Sequence, residues 1–169
     1  MPEITLRHAF DVDEDTFWEK CVFDDDFNRR MYLEVLKFPA WRSMENVDGE
    51  AKRTRKVYIE PPLGDVPAPV KKVLGDKLSY VEEGTFDKKT KRYAFKVVPS
   101  SLPDKTKNVG EMWCEKKGDK AIERVAKITV EVKVFMVGGM IEERILNDIR
   151  TSYDRSAEFT RQYIKEKNL

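Results

Sequence analysis

Apolar and polar residues alternate over the first ten positions. Ile4, Leu6, His8 and Phe10 fall on one side, and Thr5, Arg7 and Ala9 on the other. A period of two predicts a strand with one buried face. Asp11 or Asp13 then offers a carboxylate to the free N–H groups of a helix start, and that helix carries Phe17, Trp18, Cys21 and Val22. Asp24-Asp25-Asp26 marks a second start, followed by Phe27, Met31, Leu33, Val35 and Leu36. Two short helices separated by an acidic corner are predicted.

From Phe38 the texture changes to strand. Trp41, Met44 and Val47 lead to the turn pair Asp48-Gly49. Arg53, Arg55, Val57 and Ile59 then recur at period two until Pro61-Pro62. Residues 61–76 contain four prolines, which exclude a central strand, while Val70, Val73 and Leu74 give one apolar helical turn. A connection with a short embedded helix is predicted there. Further strands are expected from Leu78 to Phe86, Tyr93 to Val98, Val109 to Glu115 and Ala121 to Val137. The last has apolar even positions from 128 to 136, and its alternation shifts near Val125, which predicts a β-bulge. After Gly138-Gly139, Ile141, Ile145, Ile149, Tyr153, Ala157, Thr160 and Ile164 form one helical stripe. At 1.5 Å per residue that helix is about 40 Å long.

Strands segregated from helices indicate an α+β domain, here a single one over residues 1–169. Three segments resemble the START-like (SRPBCC, helix-grip) superfamily: ITLRHAFDVDEDTFWEKCVFDDDFNRR at the start, VKVFMVGGMIEERILNDI before the long helix, and VPAPVKKVLGDKLSYVEEGTF between them. The third is similar to an uncharacterised bacterial subgroup, although Phe86 stands where that subgroup tends to carry Trp. The resemblance implies a curved antiparallel sheet of about six to seven strands wrapped around a long C-terminal helix, with two short helices after strand one. It also implies a cavity between sheet and helix for a hydrophobic small molecule, lipid or sterol-like. Some members of the superfamily are cyclase- or hydratase-type enzymes, and others are protein-interaction modules.

Composition narrows the chemistry. A 40% hydrophobic chain with nine Phe, six Tyr and three Trp is not a disordered polyelectrolyte. No apolar stretch of about 18 residues occurs, and the acidic, polar start lacks the layout of a signal peptide, so a cytoplasmic location is expected. Two cysteines and one histidine are too few for a disulfide framework or for a cysteine- or histidine-rich metal site. No metal, cofactor or catalytic residue is assigned. The net charge of +1 conceals segregation: residues 1–50 carry 6 basic and 13 acidic side chains, and residues 51–133 carry 20 and 12. Lys52, Arg53, Arg55, Lys56, Lys71 and Lys72 are candidates for contact with an anionic membrane surface, or else a solvated strand face. No pattern interleaves basic and aromatic residues as in nucleic-acid binders.

Within the implied fold, the candidate cavity wall comprises Trp41, Val57, Tyr80, Tyr93, Phe95, Trp113, Val132, Val134, Ile145, Ile149 and Tyr153. These residues either line a pocket or pack together and close it. His8 is either a polar anchor or base for the ligand, or a hydrogen-bonded core histidine. Glu82 and Glu83 are neighbours in a strand and point to opposite faces, so at most one enters a cavity. Solvent exposure is the expectation for the pair.

Overall fold

The computed structural model describes residues 2–169. It contains seven antiparallel strands in the order β1-β7-β6-β5-β4-β3-β2. They are β1 (Glu3–Phe10), β2 (Ala40–Asp48), β3 (Lys52–Glu60), β4 (Tyr80–Asp87), β5 (Arg92–Pro99), β6 (Thr106–Gly118) and β7 (Ala121–Val132). Strands β2 to β7 are joined in sequence order, and β1 closes beside β7 with Glu3 opposite Thr129 and Phe10 opposite Ile122. The long helix α4 (Gly138–Glu166) packs against β1 and β7. This is the helix-grip arrangement that the sequence predicts.

Between β1 and β2 lie α1 (Glu14–Phe17) and α2 (Asp25–Arg29), each continuing in the wider π form, over Trp18–Val22 and Arg30–Val35. Their starts obey elementary capping. Asp13 accepts from the Thr16 N–H at 3.0 Å and Asp24 from that of Phe27 at 2.8 Å. Buried Asn28 locks the corner between them by donating to the Val22 and Asp24 carbonyls, at 2.9 and 2.7 Å. The aromatic faces of the pair enter the main core: Trp18 meets Phe86 at 4.6 Å, Phe23 meets Tyr93 at 5.8 Å, and Phe27 meets Phe159 at 5.2 Å between ring centroids. The predicted embedded helix is α3 (Ala68–Leu74), anchored by buried Val70.

Three expectations need correction. β7 stops at Val132 rather than Val137. Residues 133–137 turn instead, with Met136 in the left-handed region at φ 68° and Phe135 and Met136 exposed. The first residue of α4 then sits against the strand end, where a Cβ on Gly138 would overlap the Val132 carbonyl. No bulge occurs at Val125, whose pairing to Arg7 and Trp113 is regular; the register shifts lie at Ser43/Glu45 and Lys116/Gly118. Val125 is apolar because the outer face is covered there too. Trp113 lies beside it, with the Arg92 guanidinium 4.4 Å above the indole. Trp113 therefore belongs to the outer face, and its neighbour Met112 points inward.

Candidate functional site

The inner faces of β3 to β7 follow from strand parity. Arg55, Val57 and Ile59 share one side of β3, as do Tyr80, Glu82, Gly84 and Phe86 on β4, Tyr93, Phe95 and Val97 on β5, and Arg124, Ala126 and Ile128 on β7. Between this face, α1, α2 and the underside of α4 lies a cavity of about 260 Å³. Half-buried Pro61, Leu78 and Pro99, with exposed Asp148, mark its mouth.

Of the residues expected in the wall, Tyr80, Tyr93, Phe95, Ile145, Ile149 and Tyr153 line the cavity. Trp41 and Val57 do not. They form a small separate core with Ile59 against Tyr32, Leu33, Phe38 and Tyr80. Val132 is buried at the end of β7 and Val134 packs just beyond it, both outside the lining. His8 is also outside the lining, held between β1 and α4. Its Nε2 is 2.8 Å from the Asp154 carboxylate and its Nδ1 is 3.1 Å from Arg124 Nη2. Arginine only donates, so Nδ1 is the acceptor and the proton sits on Nε2. Burial is the main cause that lowers the His8 pKa; the Asp154 hydrogen bond opposes it and the charge of Arg124 adds to it.

The surface set changes more. Arg53 turns inward, 4.7 Å above the Phe23 ring, and donates to Asn46 at 2.9 Å. Arg55 lies inside the cavity wall, only 11% exposed, and pairs with Glu82 at 3.2 Å. It also donates to the Val22 carbonyl, with Tyr93 and Phe23 flanking the guanidinium. Lys56 pairs with Glu83 on the outer face, while Lys52, Lys71 and Lys72 are exposed. Glu82 thus faces the cavity, against the expected exposure, and Glu83 faces away.

The Arg55–Glu82 pair is completed by Tyr93, which donates to Glu82 Oε2 at 2.9 Å. Burial works against the Arg55 charge, yet Tyr93 and Glu82 beside it raise its pKa above the ordinary value. Tyr32, Tyr80 and Tyr153 also border the cavity, and no protein group among the described residues is hydrogen-bonded to their hydroxyls. Burial raises the pKa of all four phenols, that of Tyr153 to about 12, so each is a neutral hydroxyl at physiological pH. Arg124 is 5% exposed and borders the cavity near Tyr153, whose ring lies 4.9 Å from the guanidinium. The cavity is therefore apolar in bulk, with a hydrogen-bonding cluster set into one wall.

Two glycines make room for this arrangement. A Cβ on Gly84 would overlap the Tyr93 ring and hydroxyl, and one on Gly110 would overlap the Phe95 ring. Each bare strand position lets a neighbouring aromatic lie flat across the sheet. Among the described residues, no cluster of His, Cys, Asp and Glu has the form of a metal site, and no helix is long and apolar enough to cross a membrane.

The model of the family DUF2505, described as a protein of unknown function, matches residues 5–164. No curated protein matches the chain. Among solved structures, the Zhui aromatase/cyclase from Streptomyces sp. R1128 is 9% identical, covering 99% of this chain and 96% of its own, with a TM-score of 0.68. A START superfamily protein from Mycobacterium smegmatis is 9% identical, with 97% of each chain covered and a TM-score of 0.60. Norcoclaurine synthase from Thalictrum flavum, solved in complex with dopamine and hydroxybenzaldehyde, is 13% identical; 94% of this chain and 86% of the synthase are covered, with a TM-score of 0.59. At these identities the likeness is one of fold, and the fold is START-like.

Proposed function

We propose that this chain, which belongs to the DUF2505 family, is a carrier or sensor that encloses a hydrophobic small molecule between its sheet and α4. The observation that carries this reading is the cavity itself: about 260 Å³, walled by aromatic and aliphatic side chains, with tyrosine hydroxyls that have no protein partner. Small-molecule sites commonly measure about 300–1,000 Å³ with a few placed polar groups. A volume at the lower edge favours a compact lipid-like guest over a whole phospholipid. The complex of norcoclaurine synthase with two small aromatic molecules supports the same size class. Binding works by enclosure, since apolar walls remove ligand surface from water. The connection over residues 61–76 and the first turns of α4 form the gate, clasped by Arg144, which donates to the carbonyls of Leu63 at 2.6 Å and Asp65 at 3.0 Å. A cytoplasmic setting and contact with anionic membrane through Lys52, Lys71 and Lys72 belong to the same reading.

Mass spectrometry of an organic extract of the purified protein tests it, together with titration against a panel of lipids. A stoichiometric guest or a saturable affinity is expected. Absence of both sinks the proposal.

One observation favours a second reading, an acid–base enzyme of the cyclase or hydratase type. Glu82 and Tyr93 converge at 2.9 Å beside the Arg55 charge and inside the cavity. That geometry moves the candidate chemistry away from His8, which lies outside the cavity lining. If the extracted guest is recovered unchanged after prolonged incubation with fresh protein, the carrier reading stands. Conversion that is abolished in Glu82→Gln and Tyr93→Phe would establish the enzyme.

A further inference from the structure

We infer that the guest carries an anionic group, a carboxylate or an equivalent oxyanion, seated against Arg124; this rests on the cavity being a ligand site and narrows the class of molecule it takes. Arg124 and Arg55 are both buried cavity arginines, and the contrast between them carries the inference. Arg55 has its counter-ion in Glu82 at 3.2 Å. Arg124, at 5% exposure, has none among the described residues. Its Nη2 meets only the neutral ring of His8 at 3.1 Å and the Tyr153 carbonyl at 3.4 Å, and its flat face meets the Phe10 and Tyr153 rings at 5.2 and 4.9 Å. The Nε is without a partner in both arginines, so the counter-ion is what distinguishes them. Asp154, on the far side of the imidazole, is 65% exposed and bonded to His8 rather than to the guanidinium.

An arginine cannot shed its charge by deprotonating, as a buried lysine can. Isolated buried charges are avoided in folded proteins unless a partner ion accompanies them. The cavity wall thus holds two guanidiniums against one interior carboxylate, because the carboxylate of Asp148 at the mouth is bonded to Arg144 at 2.9 Å. The polar groups beside Arg124 point to the same ligand chemistry. Tyr153, with its ring 4.9 Å from the guanidinium, presents a neutral hydroxyl able to donate, and Tyr32 adds another on the same lining. An oxygen anion is the group that suits these donors and the Arg124 charge together. Position along α4 fixes orientation: Asp148 lies at the mouth, and Arg124 meets the helix at Tyr153, about one and a half turns further along. The charged head therefore lies deep, and the apolar body points toward Pro61, Leu78 and Pro99. A carboxylated amphiphile fits this description, and a neutral sterol does not.

The test uses matched probes on the full chain by isothermal titration: decanoate, 1-decanol and decylammonium, and 2-naphthoate against 2-naphthalenemethanol. The acids should bind at least about tenfold more tightly than the alcohols, since a hydrogen bond to a charged group in a buried site is worth that much. The amine should bind worst. Arg124→Gln should bring acid and alcohol to equal affinity, and Arg124→Lys should keep part of the preference. If Arg124→Gln fails to fold, the wild-type ranking and the lysine variant still decide. Equal binding of acids and alcohols by the wild type would overturn the anionic guest and leave the carrier reading intact. Absence of binding by every probe would overturn the anionic guest, and, if the organic extract and the lipid panel are also empty, the carrier reading with it.

Discussion

Gly84→Ala separates the packing of the site from ordinary strand preference, because the two have opposite signs. In a strand interior, alanine is expected to gain about 0.5–1 kcal/mol over glycine by restricting the unfolded chain. Here the Cβ would fall on the Tyr93 ring and hydroxyl, far inside the 3.0 Å that real Cβ contacts keep. Tyr93 is 2% exposed and stacked on Phe95, so any shift of the ring toward the cavity gives up that packing. Overpacking of this kind costs about 1–3 kcal/mol. Displacing the hydroxyl from Glu82 forfeits a hydrogen bond to a charged acceptor, about 1.5–3 kcal/mol more. Net of the strand gain, the substitution should therefore destabilise by about 2–5 kcal/mol, which for a chain of this length lowers Tm by roughly 10 °C. Urea unfolding followed by tryptophan fluorescence gives the free energy, and a double-mutant cycle gives the cause. In a Tyr93→Ala background the added methyl has room, and Gly84→Ala should cost less than about 1 kcal/mol. An equal cost in both backgrounds, or a neutral Gly84→Ala in the wild type, would refute the close packing of Tyr93 over β4.

Four further outcomes are expected. Because the folded-state pKa of His8 is lowered from 6.5, the unfolded chain takes up its proton first as pH falls. The stability linked to His8 is thus complete above about 6.5 and is lost as pH drops from there to the lower folded value. Tm measured from about pH 7.5 to about 5 should fall less steeply in His8→Gln, and the sole imidazole can be followed directly by NMR. Arg55→Met should destabilise by about 3–5 kcal/mol because it leaves Glu82 buried and unpaired, while Arg55→Met with Glu82→Gln should recover much of the loss in denaturant titrations. Burial pushes the thiols of Cys21 and Cys114 up to about 12, so a disulfide reagent at about pH 8 should label neither until denaturant is added. Arg144→Ala, which releases the connection from α4, should raise the dissociation rate of the extracted guest in stopped-flow displacement with little change in Tm.

The elements of this fold were legible because each has a clear period. Strand parity on β1 and β7, the stripe on α4 and the capping carboxylates Asp13 and Asp24 all state their geometry in the chain itself. The site is less legible because residue type and strand parity point in opposite directions there. Arg55 shares a face with Val57 and Ile59, and Glu82 with Tyr80 and Phe86, so the alternation already pointed both into the cavity. Basic and acidic character argued for solvent instead. Trp113 shows the reverse conflict: its size suggests the interior, yet Met112 has the inward parity. Other features carried no local signal. The contacts of His8 with Asp154 and Arg124 span 146 and 116 positions, and the openings above Gly84 and Gly110 exist only once Tyr93 and Phe95 lie across them.

The polar cluster is itself an argument about what the interior is for. A sheet face that served only as core would be more stable with aliphatic residues in place of Arg55, Glu82 and Arg124, since the desolvation of buried ions commonly exceeds their mutual attraction. Here the costly groups gather where the interior is empty, and they border the cavity together with tyrosine hydroxyls that no protein group engages. A merely tolerated polar residue is usually satisfied locally, as Asn28 is by the carbonyls of Val22 and Asp24. Arg124 and the three free tyrosines are not satisfied in that way. Their common property is that all can donate and none has an acidic partner, so the deficit shared by these separate side chains is an acceptor. In the reading proposed above a guest oxygen supplies it, and the apolar remainder of the cavity then selects the rest of the guest.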